Sequence, residues 1–477
     1  MISALLILIP LIAGILSFFI KSNQANKLWA VLSSLSVLTI TLLGILVFNK
    51  SSYLNFDVNW ITTLGSRFTT SMDGMSKILC LLTAIAFPAI LIATYKNEYK
   101  NAHSFYGLML LSQAGLMGVF LAADALLFYF FWELALIPIY FLCSTWGGEK
   151  RIAATFKFFV YTFLGSLLML IGIIYLYYLT PHHSFAMSDF YALQLSAKQQ
   201  NFVFWLFFIA FAIKMPIFPF HTWQPDTYEQ STTAATIVLS AIMVKMGVFA
   251  IIRWIVPIFP LAVKSNATFI IILSVIGMVY ASLIAIKQDD VKRLIAYSSI
   301  AHLGLMCAAI FSMNSVGLKG VMLQMFSHGI NVMGLWIVAE VVELKTGTRK
   351  FSELGGLAQK APVLAMLFLI MILANVSLPL TSSFIGEFLM LGGLFRYNIY
   401  LTVVAGTCII LVAAYSFNTM KKIFYGNTVS VTENAQEASI NVQWVLAILA
   451  IIIIAFGIYP QPLIDLTKDT VLFITGK

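Results

Sequence analysis

Charge is what this chain has least of. Only 10% of its 477 residues are Asp, Glu, Lys or Arg, where a water-soluble domain carries about 25%. So few charges cannot cover a surface that faces water on every side, and no polar stretch is long enough to make a separate soluble domain. Cysteine is scarce as well. Cys80, Cys143, Cys307 and Cys408 stand alone in apolar runs, and without a CxxC spacing neither an iron–sulfur nor a zinc site is indicated. The N-terminus, MISALLILIP, has no basic residue ahead of its apolar run and no small-residue cleavage site. It reads as a first spanning helix and not as a removable signal peptide. A basic face is missing too. The net charge of +9 is scattered through short connections, which argues against nucleic acid and for a membrane.

What the chain does have is apolar residues, 61% of the total, in runs that reach the roughly 20 residues needed to span a bilayer. The runs predict an all-α integral membrane protein of about fourteen transmembrane helices: 2–20, 28–48, 73–94, 104–122, 124–144, 155–179, 202–219, 231–253, 266–286, 294–312, 316–342, 361–395, 399–420 and 441–459. The seventh contains Pro216 and Pro219, and the twelfth contains Pro379 after Asn375 and Ser377. A proline inside a helix frees a backbone carbonyl, which in lipid is tolerated only where protein or water meets it. Helices 7 and 12 are therefore expected to be broken and to face the interior. Of the connections, the alternate set that starts after the first segment holds sixteen Lys and Arg, against nine in the other set, where Arg253 is counted. The positive-inside rule then places both termini outside the cytoplasm.

Four charges have no such connection to sit in. Glu133 lies nine residues into its segment, about 13 Å deep at 1.5 Å per residue and so near the middle of a hydrocarbon layer about 30 Å thick. Lys214, Lys245 and Glu387 lie similarly deep on three other segments. Each costs about 2.5–3.5 kcal/mol at a helix centre, and a pair that served only for rigidity could be replaced by small residues at the helix interface. Static salt bridges are the bland alternative. The functional reading is a row of groups that exchange protons, because a buried lysine loses its proton readily and a nearby carboxylate restores it. Three histidines, His221, His302 and His328, fall in the same region. Each on its own is as well explained as a hydrogen-bonded core residue, but an ionisable group in a membrane is first a functional candidate. His182 and His183 lie in a connection and are assigned nothing. No solute pocket with converging polar groups is apparent, which disfavours a stand-alone secondary transporter.

Several strings resemble the antiporter-like subunits of respiratory complex I, the NADH–quinone oxidoreductase, within the proton-conducting membrane transporter family. They are FFWELALIPIYFL (130–142), IKMPIFPFHTWQPDTYEQSTTAATIVLSAIMVKMG (213–247) and QDDVKRLIAYSSIAHLGLM (288–306), supported by SMDGMS (71–76) and WGGEKRIAATFKFFVYT (146–162). The likeness runs from about residue 70 to 425. It implies one transmembrane domain over 1–477: three N-terminal helices in 1–95, two inverted five-helix repeats at 104–253 and 266–420, and a last helix at 441–459. It implies that Glu133 and Lys214 are a charge-switching pair, that Lys245, His302 and His328 relay onward, and that Glu387 ends the relay. A carboxylate at that last place is characteristic of the chain M type, where sister chains and Mrp subunits carry lysine. Many relatives have glycine where this chain has Ser382 or Ser383.

The implied function is proton translocation coupled to quinone reduction on other subunits, so the chain is part of a translocase but does no redox chemistry. No cofactor or metal is expected on it; FMN, iron–sulfur clusters and quinone belong to partner subunits. The expected partners are the other membrane subunits of complex I, sister antiporter-like chains among them, together with lipid and protons, in a bacterial inner membrane with both termini periplasmic. An Mrp-type cation/proton antiporter or a membrane-bound hydrogenase is the alternative assembly.

Overall fold

The computed structural model describes residues 1–476. Seventeen helices organise them: α1 (Ile2–Ser17), α2 (Asn23–Leu46), α3 (Gly74–Ala93), α4 (Ala102–Leu121), α5 (Ala125–Trp146), α6 (Arg151–Leu179), α7 (Ala197–Lys214), α8 (Trp223–Gln230), α9 (Thr233–Ile258), α10 (Pro260–Lys287), α11 (Val291–Phe311), α12 (Ser315–Thr346), α13 (Pro362–Asn375), α14 (Ser382–Tyr397), α15 (Ile399–Phe424), α16 (Ile440–Ile458) and α17 (Gln461–Thr475). Among the described residues, 11 helices are long and apolar enough to cross a membrane. The expected segments therefore reappear as helices. Several start or stop a few residues away from where the apolar runs do, because capping decides the ends. Asp73, Asp124, Asp290 and Asn314 each accept a backbone N–H at a helix start, one of the donors that a first turn leaves unpaired.

Depth in the bundle follows sequence. The most apolar window of α9 is wholly buried, and those of α11 and α12 are 94% buried, while α15 is only 28% buried. The helices that carry Lys245, His302 and His328 are thus inside, shielded from lipid by the others. Close approach is set by glycine. A side chain at Gly118 of α4 would run into the Phe131 ring of α5, so these helices can pack tightly beside Glu133.

Four features depart from the sequence reading. First, within an otherwise all-α membrane protein, the stretch between α2 and α3 holds a β-hairpin, β1 (Phe56–Ile61) and β2 (Ser66–Thr70), with Phe56 opposite Thr70 and Asn59 opposite Arg67. Asp124 fastens the hairpin to the start of α5 by accepting from Ser66 Oγ at 3.0 Å and Arg67 N at 3.2 Å. Second, residues beyond 459 form α17, whose Leu463, Thr467, Thr470 and Val471 are buried against α3 and α12. Third, α9 includes two π-helical stretches, Val238–Met243 and Ile251–Ile255.

Fourth, Arg253 is not in a connection. It lies within α9, and its guanidinium grips Asp73 with two bonds of 2.6 and 2.7 Å. A forked, charge-assisted pair of this kind is what allows a permanent charge inside a helix bundle. Asp73→Ala should therefore strand Arg253 and remove the α3 cap. Breaking such a pair costs about 3 kcal/mol, and the expected result is a lower unfolding temperature of the purified complex, with Asp73→Glu milder. Equal melting of Asp73→Ala and the parent would show that the pair contributes nothing.

Candidate functional site

Lys214 is the last residue of α7. Pro216 cannot supply the next N–H, and the chain turns through 215–222 before α8 begins. Lys214 thus lies in the last turn, the favourable end of a helix for a cation. It is 2% exposed and lies 5.6 Å from the ring centre of Trp132 and 5.8 Å from that of Phe158. An aromatic face attracts a desolvated cation by about 2 kcal/mol.

Glu133 follows Trp132 on α5, and its carboxyl lies near enough to Lys214 for the two charges to be felt by each other. The two do not join in an ion pair. Oε1 of Glu133 and Nζ of Lys214 are both buried without a protein partner. A static salt bridge, the bland reading of this pair, is not made. His221 makes no hydrogen bond or ion pair with the other candidate groups and lies within electrostatic reach of Lys157. It is buried among Phe218 and Tyr280, with ring centres 5.6 and 5.2 Å away.

The remaining four residues form a row. Lys245 is fully buried just after the first π-helical stretch, whose altered winding turns the Ser240 carbonyl toward it. Nζ donates to that carbonyl at 2.8 Å and lies 2.8 Å from Nδ1 of His328. The His328 ring on α12 is 5.4 Å from the His302 ring on α11, centre to centre. Nδ1 of His302 is 2.8 Å from Oε1 of Glu387 on α14. Lysine, two imidazoles and a carboxylate from four helices are thereby within contact in sequence, all less than a tenth exposed. Imidazole suits the middle places, since each ring has two nitrogens and can take a proton on one while losing one from the other.

Glu387 is placed by a break. α13 stops at Asn375 and α14 starts at Ser382; between them Ser377 and Leu380 adopt left-handed backbone, with φ of 56° and 76°. The Leu380 carbonyl is seated on Gly457 of α16, where a Cβ would be 2.1 Å away. A separate cavity of about 660 Å³ is lined by Lys157, Asp226, Glu229, Arg293, Glu343 and Arg349, among others. Arg293 pairs with Glu229 at 2.8 Å and Arg349 with Glu229 at 2.8 Å. Among the described residues no group of three or more His, Cys, Asp and Glu could hold a metal ion.

The family described as NADH:quinone oxidoreductase/Mrp antiporter, TM, matches residues 122–413. The chain belongs to this family. Subunit M of the F420H2 dehydrogenase of Methanosarcina mazei is 35% identical, with 98% of this chain and 96% of that one covered. Subunit M of the NADH-quinone oxidoreductase of Rickettsia typhi is 35% identical, with 96% and 95% covered. A chain of respiratory complex I from Thermus thermophilus with bound NADH superposes with a TM-score of 0.91 at 28% identity over 100% of both chains. This member of the NADH:quinone oxidoreductase/Mrp antiporter family is accordingly an integral, multi-pass membrane protein. All seven ionisable residues singled out in the sequence fall inside the matched segment.

Sequence reasoning passed over the aromatic seat of Lys214, the π-helical turn before Lys245, and Gln324 on α12. Nε2 of Gln324 donates to Oε1 of Glu387 at 3.3 Å. Its signal was available: an amide one helical turn from His328, in an otherwise apolar run.

Proposed function

We propose that this chain is the M-type proton-translocating subunit of an NADH–quinone oxidoreductase, and that protons pass along Glu133, Lys214, Lys245, His328, His302 and Glu387. The contact series Lys245–His328–His302–Glu387 carries the reading. Four ionisable side chains in series through the buried centre of a bundle have no structural need to be ionisable: Lys245 with His328 and His302 with Glu387 are within hydrogen-bond distance, and the two imidazoles, 5.4 Å apart between ring centres, would pass a proton by a turn of either ring. The unpaired Glu133 and Lys214 suit a pair that makes and breaks its contact in turn. The inner cavity is a suitable uptake side, because Gln224 and Tyr228 of α8, the helix of Asp226 and Glu229, have buried polar atoms without protein partners.

In this reading the chain crosses the membrane fourteen times. α7–α8 and α13–α14 are the broken seventh and twelfth crossings, and helices 4–8 and 9–13 are inverted repeats. Both termini face the periplasm of a bacterial inner membrane. Sister antiporter-like chains flank it, and the flavin, iron–sulfur clusters and quinone sit on other subunits. The relatives' names carry two electron donors, F420H2 in Methanosarcina and NADH in Rickettsia; the Thermus complex, with NADH bound, favours NADH. Native purification with assays of both donors separates them, and an isolated Mrp-type or hydrogenase assembly would show there as well.

The decisive variant is Glu387→Gln, which keeps shape and removes the proton-binding group. The expected result is an assembled complex whose proton uptake into inverted vesicles falls at least about tenfold, equivalent to 1.4 kcal/mol in a barrier. Unimpaired uptake, normalised to assembled complex, would remove Glu387 from the path. Tag accessibility in intact cells tests the orientation: a C-terminal tag should react without permeabilisation, and one that reacts only afterwards reverses the topology.

A further inference from the structure

Gln324 is 1% exposed and lies on α12 one turn from His328. Its amide nitrogen donates to Oε1 of Glu387, the same oxygen that lies 2.8 Å from His302 Nδ1. Its amide oxygen is buried with no partner. That oxygen rests on Gly386, the neighbour of Glu387, where a Cβ would be 2.5 Å from it. The glycine therefore makes the room in which this amide sits.

An amide is an uncharged group that offers a donor and an acceptor of nearly equal size, exchangeable by a half-turn. Glutamate in its ionised form only accepts hydrogen bonds; once protonated it must also donate one. A buried group whose partner serves one state alone is penalised in the other. Here the amide oxygen has no bond to break, so a half-turn about the last side-chain torsion exchanges nitrogen for oxygen without losing a protein contact. We propose that Gln324 is a positioning residue for Glu387, turning its amide to donate to the carboxylate and to accept from the carboxylic acid, so that Glu387 is held in one place through both halves of a proton exchange. This rests on the reading of Glu387 as a proton carrier.

The test uses the whole complex in membranes and infrared difference spectra triggered by adding substrate. Glu387→Gln first identifies the carbonyl stretch of protonated Glu387 as the band it removes; no lost band would overturn the carrier reading itself and with it this one. With the band identified, Gln324→Met, which keeps side-chain length and loses both hydrogen-bonding atoms, should shift it to higher frequency and slow proton uptake about tenfold. An unmoved band at normal uptake, or an unmoved band at reduced uptake, overturns the positioning role, the second outcome leaving Gln324 as packing alone. Should Gln324→Met fail to assemble, Gly386→Ala decides. Its Cβ displaces the amide while Gln324 stays, and the same shift supports the proposal, whereas an unchanged band rejects it.

Discussion

Lys245→Met is expected to end proton translocation while the complex still assembles. The methionine side chain fills nearly the same space, and volume-conserving exchanges in a core cost less than about 1.5 kcal/mol. What disappears is the one group that touches His328 from the side of Lys214, and with it the bond that Nζ makes to the Ser240 carbonyl. No other ionisable side chain of α9 reaches that place: Arg253, the only other charge on this helix, is held by Asp73. The expected loss is at least about a hundredfold in proton uptake per assembled complex, or about 2.7 kcal/mol in a barrier. Quinone reduction should slow with it if electron flow and pumping are tightly coupled. Uptake at the parental rate in a fully assembled Lys245→Met complex would break the proposed row at its centre.

The second large effect concerns Glu133 and Lys214 together. Each single replacement removes half of a pair that the structure shows apart, and each should stop uptake. Lys214→Met strands a buried carboxylate, whose burial as a charge is costly. Glu133→Gln leaves the ammonium with only the faces of Trp132 and Phe158. The double variant Glu133→Gln with Lys214→Met distinguishes switching from scaffolding. Two neutral groups need no pairing, so a structural pair would be rescued and activity would return. On the switching view the double variant assembles well and transports at less than about a tenth of the parental rate. NADH-driven quinone reduction and proton uptake, measured together in inverted vesicles, give the answer, and recovery of both would refute switching.

The sequence made these residues visible because a bilayer is an intolerant solvent. Glu133, Lys214, Lys245 and Glu387 stand out against apolar runs, and the prolines at 216 and 379 mark the breaks beside two of them. Contact order along the row was not legible. That His328 and not His302 meets Lys245 depends on the rotation of α9, and its π-helical turn leaves no mark in composition. Arg253 was misplaced because a charge near the end of an apolar run looks like a connection until its partner, Asp73 on a distant segment, is brought beside it. The hairpin at 56–70 was hidden by shortness, although FDVNWI alternates and Gly65 supplies the left-handed turn residue. α17 was hidden because Asp465, Lys468 and Asp469 dilute its apolar residues, and its buried face is a stripe that hydropathy averages away.

The left-handed turn between α13 and α14 bears on how the protein is made. Its Leu380 carbonyl needs Gly457, and Gly457 belongs to α16, which leaves the ribosome almost last. Synthesis runs from the N-terminus, so Lys245, His328 and His302 are already made while the turn that leads into the helix of Glu387 still lacks its packing against α16. A nascent chain therefore carries an unfinished wire. On the proposed relay, insertion can proceed across an energised membrane without short-circuiting it, and α16, which has no ionisable residue of its own, is the piece that closes the circuit.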